Sequence, residues 1–177
     1  MSTEIDESKF EKFVALTTSF IAVGLAISTI LNNAAGDDLL VFRSEANNKW
    51  SYFQSKSIKQ NIVEMEIGNI ELSLENENIS ENYKAKAKEK IAYFESEVKR
   101  YDTEKDQIGT EAKTAEGLME KADKKGLKLD LAEALYQISI VLAAISMIAK
   151  NRPTWYLSMA LGGLAICITT YAHFFMP

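Results

Sequence analysis

Three polar residues lie at helical spacing close to the start of an apolar run, where they could do chemistry. Asp130, Glu133 and Gln137 are three and four positions apart, which places them on one face of a helix. Glu133 falls inside the run, and an ionisable side chain at that depth in a membrane suggests a functional site. This candidate intramembrane polar face could pass ions or protons. Alternatively, Glu133 points toward lipid headgroups, or pairs with Lys128 or with a lysine of a neighbouring chain.

The remaining reactive side chains are isolated. His173 is the single histidine and Cys167 the single cysteine, and both lie in an apolar run. A metal site with two imidazoles from one chain is therefore excluded, and Ser-His-Asp catalysis is not expected. The sequence also contains no glycine-rich phosphate-binding motif. We expect no enzyme activity, no cofactor and no metal.

A second group of candidate residues combines aromatic and polar side chains in one short segment: Trp50, Tyr52, Phe53, Gln54 and Lys56. Trp50 and Phe53 share one helix face, whereas Tyr52 is displaced to another. Packing against a returning helix near residues 115–122 would explain them. A partner surface close to a membrane is the alternative interpretation.

Three apolar runs must position these residues, and they predict transmembrane helices over 13–33, 129–150 and 155–175. No charged residue occurs between Lys12 and Asp37, and about 20 helical residues cross a hydrocarbon core of about 30 Å. A cleaved signal peptide is the competing interpretation of the first run, but that run is too long and lacks a good cleavage site. Residues 1–12 form an N-terminal tail ahead of the first run. A polar turn at 151–154 joins the second and third runs, so we expect the last two helices to be antiparallel neighbours.

Small residues recur four positions apart on these runs: Gly24 with Ser28, Ser139 with Ala143, and Ser158 with Gly162. Such spacing lets helix backbones approach closely in lipid. The alternative is that small residues are simply common in transmembrane helices.

Between the first two runs, residues 34–128 predict a long antiparallel, coiled-coil-like helical hairpin that turns near 76–81, with Ser80 as an N-cap. The second helix of the hairpin carries a heptad, and its larger members form a predicted oligomer seam: Ile91, Phe94, Val98, Tyr101 and Ile108. The first helix carries two adjacent apolar stripes. One comprises Ile58, Ile62, Met65 and Leu72, and the other Val63, Ile67, Ile70 and Leu74. A doubled stripe favours contact with more than one helix.

Two segments resemble a bacterial family of unknown function, DUF4337. They are NNKWSYFQSKSIKQ, with Trp50, Tyr52, Gln54 and Lys56 at the matching positions, and the apolar stretch that begins at Gln137. The resemblance covers most of the chain. It implies a shared architecture in bacteria but no activity.

Together these observations predict an all-α membrane protein with three transmembrane helices and one extramembrane hairpin. Net charge is −5 with both signs interspersed, so no nucleic-acid partner is expected. The short basic segments favour an N-terminus in the cytoplasm and a periplasmic hairpin, in the bacterial inner membrane. The expected partners are membrane lipids and other copies of the chain. A scaffold that self-assembles is the leading hypothesis, and an oligomeric channel or an accessory subunit of another membrane protein is the alternative.

Overall fold

The computed structural model describes residues 2–76 and 79–176, and these form three helices. Helix α1 comprises Ser2–Leu74, α2 Glu81–Ala149 and α3 Arg152–Phe175. No strand occurs among the described residues. Each helix contains a stretch long and apolar enough to cross a membrane, by length and composition. The all-helical prediction is therefore confirmed.

The helices run through the predicted domain boundaries. Neither α1 at residues 33–34 nor α2 at residues 128–129 is interrupted. No proline lies in either region, and a glycine such as Gly126 inside a helix costs only about 1 kcal/mol. Internal contacts instead divide the chain into two units: unit 1 comprises Met1–Val41 and Leu118–Pro177, and unit 2 comprises Phe42–Gly117.

The connections between helices are short. The first contains residues 75–80, and the centre of the predicted turn, residues 77 and 78, lies outside the described residues. The N-cap prediction is confirmed, because the backbone N–H of Tyr83 donates to Ser80 Oγ at 3.3 Å. The second connection is shorter than expected, because α3 already begins at Arg152, with Pro153 in its first turn. Proline lacks a backbone N–H, and in the first turn of a helix that N–H would have no partner within the helix.

In unit 1 the three helices meet through small side chains. Ser28, Ser139, Ala143 and Ser158 are completely buried. A Cβ added at Gly162 would lie 3.0 Å from Ser139 Oγ and 3.1 Å from the side chain of Ile21. The small residues therefore lie where the helices approach each other, which favours the packing interpretation over simple frequency.

Hydroxyl groups complete these contacts. Ser139 Oγ donates to the carbonyl of Ser158 at 2.6 Å, and Ser158 Oγ donates to the carbonyl of Ser139 at 2.8 Å. The indole Nε1 of Trp155 donates to Thr17 Oγ1 at 3.1 Å. Buried polar groups are costly without partners, so these bonds fix how α3 packs on α1 and α2.

Large apolar side chains cover the outside of unit 1. On α1 they recur every three or four residues and are 52–68% exposed: Phe13, Leu16, Phe20, Val23, Ile27 and Ile30. Many apolar residues of α2 and α3 are exposed in the same way, up to 86% at Ile148. Unit 1 therefore has an extensive apolar outer surface, although Tyr136, Leu129 and Val14 are buried between its helices.

Replacing Gly162 by leucine is expected to lower the free energy of unfolding by about 1–3 kcal/mol, because the side chain overpacks the contact with Ser139 and Ile21. Gly163→Leu is the matched control, since nothing lies within 4 Å of a Cβ built there. Thermal unfolding of the purified protein measures both. Equal unfolding temperatures for the two variants would contradict the packing described for α3.

Candidate functional site

Unit 2 is a pair of antiparallel helices, residues 42–74 of α1 and 81–117 of α2, called the helix pair below. Lys49 Nζ lies 2.6 Å from Glu111 Oε2, and Lys56 Nζ lies 2.5 Å from Glu104 Oε2. Further along α1, Gln60 Nε2 donates to Asp102 Oδ1 at 3.1 Å. As the residue number on α1 increases, the residue number of its partner on α2 decreases, as antiparallel helices require.

The hydrogen bond from Lys56 holds the pKa of the Glu104 carboxyl below its usual value. The hydrogen bond from Lys49 does the same for Glu111, with help from Gln107. In return, Glu104 raises the pKa of Lys56 and Glu111 raises that of Lys49. These ion pairs link the helices at their edges, where solvent weakens them.

The predicted oligomer seam lies between the two helices of a single chain. Ile108 is 6% exposed, Ala112 is fully buried, and the other seam residues are half-buried: Ile91, Phe94, Val98 and Tyr101. The ion pairs described above place α1 beside α2, so α1 contributes to this burial.

The aromatic segment takes part in the same contact. The indole of Trp50 donates to Glu116 Oε1 at 2.8 Å and packs edge-on against Phe53. A Cβ built at Gly109 would touch the Phe53 ring at 3.7 Å. These contacts favour packing against the returning helix over a partner surface. On α2 these contacts involve residues 109 and 116, and only the second of these lies in the predicted stretch 115–122.

The rest of the segment points outward or forms ion pairs. Tyr52 is 51% exposed and Gln54 is exposed. The ammonium of Lys56 lies 5.2 Å from the ring centre of Tyr52 and 5.5 Å from that of Tyr101. The heptad predicts Tyr101 as a seam residue. Its cation–π contact with Lys56 could not be predicted, because that contact depends on which turn of α1 lies beside Tyr101.

The two apolar stripes of α1 have different environments. Val63, Ile67, Ile70 and Leu74 are half-buried against α2. The prediction that the stripes are adjacent is wrong, because at about 100° per residue the two sets lie on nearly opposite sides of α1. The members of the other stripe are 55–69% exposed: Ile58, Ile62, Met65 and Leu72. The described residues of the helix pair therefore leave one apolar stripe mostly uncovered; it is called the outer stripe below.

The predicted polar face on α2 is not one cluster. Asp130 is exposed and accepts a hydrogen bond from Asn32 Nδ2 at 2.6 Å, whereas Gln137 is exposed. Glu133 is half-buried, and its Oε1 is buried without a hydrogen-bond partner among the described residues. Asn32 was not predicted. Its place at the end of the first apolar run is the one signal that could have indicated it.

No group of three or more His, Cys, Asp or Glu side chains in the described ranges is arranged to hold a metal ion. The arrangement instead offers an outer stripe on unit 2, an apolar outer surface on unit 1 and, within the second apolar run, the half-buried carboxylate of Glu133. These features define a class: an all-helical protein whose three helices are apolar enough to cross a membrane.

The chain belongs to the family described as Domain of unknown function (DUF4337), whose model matches residues 10–175. The resemblance noted in the sequence is thereby confirmed. No curated protein matches the chain. No solved structure matches it either.

The depressed carboxyl pKa values predict that the helix pair loses stability in acid. Glu104 and Glu111 bind protons more readily when unfolded, so their contribution is present above pH 4.5 and is lost as pH falls below it. Urea midpoints measured by circular dichroism at pH 7 and below pH 4 test this. Glu104→Gln with Glu111→Gln should reduce the difference. The matched control is Glu95→Gln with Glu89→Gln, both exposed; an equal reduction in the control would refute the assignment.

Proposed function

We propose that the protein is a membrane-anchored helical scaffold that self-assembles through the outer stripe of its helix pair. Unit 1 supplies the anchor in this proposal. Its exposed Phe, Ile, Leu and Val side chains suit contact with hydrocarbon, and its buried serines suit close helix packing in lipid. The observation that carries self-assembly is the exposure of Ile58, Ile62, Met65 and Leu72 on one side of α1.

The basic residues suggest the orientation of the anchor. Lys9, Lys12, Lys150 and Arg152 lie in short segments at one end of the apolar helices. Short basic segments remain in the cytoplasm. The helix pair would then stand in the periplasm of a bacterial inner membrane.

A second copy of the same chain is the occupant that best fits the outer stripe. Ile58, Ile62, Met65, Asn69 and Leu72 follow alternating steps of four and three, the spacing of a coiled-coil seam. Asn69 is exposed and takes the one polar position. In a parallel symmetric pair each Asn69 would face its own copy, so both amides could hydrogen-bond. An antiparallel pair centred on the stripe would place the amide against apolar side chains instead.

The outer stripe is short, which makes the membrane anchor part of the mechanism. Burying an apolar side chain completely contributes about 1.5–3 kcal/mol, and these side chains are already partly covered. Association costs about 4–15 kcal/mol, so the stripe alone supports only weak pairing. Confining both copies to one membrane raises their effective concentration and lowers that cost.

Ile62→Asp combined with Met65→Asp should convert the assembled protein into single chains, because four buried carboxylates would face each other in a pair. Light scattering of the detergent-extracted protein, corrected for detergent, measures the mass. Tyr93→Asp is the matched control, since Tyr93 is 60% exposed, a value between those of Ile62 and Met65, but lies on α2.

The double variant leaves the contact between α1 and α2 untouched, so its helix content should equal that of the wild type. An unchanged mass in this variant would contradict assembly through the outer stripe. A mass explained by a different co-purified protein would identify an accessory subunit instead of a self-assembling scaffold.

A second candidate function is a channel formed between copies, and the orphan oxygen of Glu133 favours it. An unpaired carboxylate oxygen buried on an apolar helix is costly unless a proton, an ion or a neighbouring chain meets it. Three helices cannot enclose a pore, so this function also needs assembly or another membrane protein.

Glu133→Gln should reduce proton or cation flux into proteoliposomes at least tenfold if this carboxylate carries the ion. Gln137→Glu, which adds a carboxylate one turn away on the exposed side, is a control for charge alone. Flux that is indistinguishable between the wild type and Glu133→Gln would eliminate the channel and leave the scaffold.

A further inference from the structure

Two adjoining cavities occur at one end of unit 1, and they differ in character. One, of about 220 Å³, is lined by cationic and aromatic residues: Lys9, Phe10, Phe13, Arg152, Trp155 and Tyr156. The other, of about 540 Å³, is lined by Lys9, Lys12, Phe13 and Leu16. Lys9 and Phe13 line both, so the basic recess continues into an open groove along one face of α1, where Phe13 and Leu16 supply the apolar lining.

The walls of the basic recess are held in place by packing. Phe10 is 8% exposed and meets Trp155 edge-on, with ring centres 5.7 Å apart. The indole of Trp155 is held by its hydrogen bond to Thr17. The guanidinium of Arg152 lies 5.8 Å from the centre of the Phe10 ring. The recess is thus formed by an ordered contact between α1 and α3.

The charges in and beside the cavities favour an anion. Lys9, Lys12 and Arg152 contribute three cationic groups, and α3 begins at Arg152 without a side-chain cap. The amino end of a helix carries partial positive charge. Tyr156 is 60% exposed beside them, and tyrosine and tryptophan are typical of the membrane–water boundary.

We propose that the two cavities together bind one anionic phospholipid, with its phosphate in the basic recess and an acyl chain in the groove along Phe13 and Leu16. A free phosphate would use the recess alone and leave the groove empty, so the paired cavities favour the lipid. The site deepens the proposed function, because it rests on insertion of unit 1 into a membrane. The anionic lipids of the cytoplasmic leaflet would meet it in the orientation proposed above.

The test uses the full chain in detergent, titrated with phosphatidylglycerol or phosphatidylcholine and examined by native mass spectrometry. The wild type should retain phosphatidylglycerol in preference to phosphatidylcholine. Lys9→Gln with Arg152→Gln should weaken phosphatidylglycerol binding about thirtyfold, since each basic residue near an anionic surface contributes a factor of about five. Lys121→Gln with Lys125→Gln removes the same charge elsewhere in unit 1 and should change binding little.

Three outcomes would overturn the proposal: no preference between the lipids, equal loss in both double variants, or equal stabilisation against heat by inorganic phosphate alone. The last would assign the recess to a free anion. Extraction of the protein from cell membranes by alkaline carbonate would count against the membrane anchor itself. If the protein resists extraction by carbonate but shows no lipid preference, the lipid site is refuted and the membrane anchor is not.

Discussion

The close approach of three helices in unit 1 is the constraint on which the rest depends. Gly162 and the buried serines allow that approach, and the reciprocal bonds between Ser139 and Ser158 fix it. Small residues line the closest helix contacts, a few larger side chains such as Tyr136, Leu129 and Val14 fill the remaining interior, and most of the other large apolar side chains lie outside. The same packing forms the wall of the basic recess, where Phe10 meets Trp155. The apolar outer surface of unit 1, on which the proposed anchor and the proposed lipid site both depend, is thus linked to one packing requirement.

Unit 2 is governed by different interactions. Alanines and Ile108 bring its helices together, and ion pairs such as Lys56–Glu104 select their antiparallel register. The Lys56 and Glu104 side chains are 14% and 35% exposed, and ion pairs within reach of solvent add little stability, so burial along the seam between the helices must supply most of it. The outer stripe is mostly exposed in this pairing. A largely uncovered apolar surface that repeats at heptad spacing is the feature that the scaffold proposal explains.

The helices were predictable because their signals are local. Long apolar runs, a heptad and a Ser80 cap need no knowledge of distant residues. Helix continuity through residues 34–41 was missed because charged residues there resemble a boundary, although none of them breaks a helix. The two stripes of α1 are both apolar, so only tertiary contact decides which one meets α2. The Asn32–Asp130 bond and the orientation of Glu133 depend on helix register for the same reason. The seam of Ile91 and Val98 is half-buried in the helix pair, and its role in subunit contact stays a prediction.

Hydroxyl-radical footprinting of the full chain in lipid nanodiscs tests the central claim most directly, because three comparably exposed side chains report on three environments. Phe20 is 68% exposed on unit 1, Met65 69% on the outer stripe and Tyr93 60% on α2. If lipid covers unit 1 and a second copy covers the stripe, Phe20 and Met65 are protected while Tyr93 is labelled, after correction for intrinsic reactivity. Labelling of Phe20 and Met65 as extensive as that of Tyr93 would contradict both the anchor and the assembly.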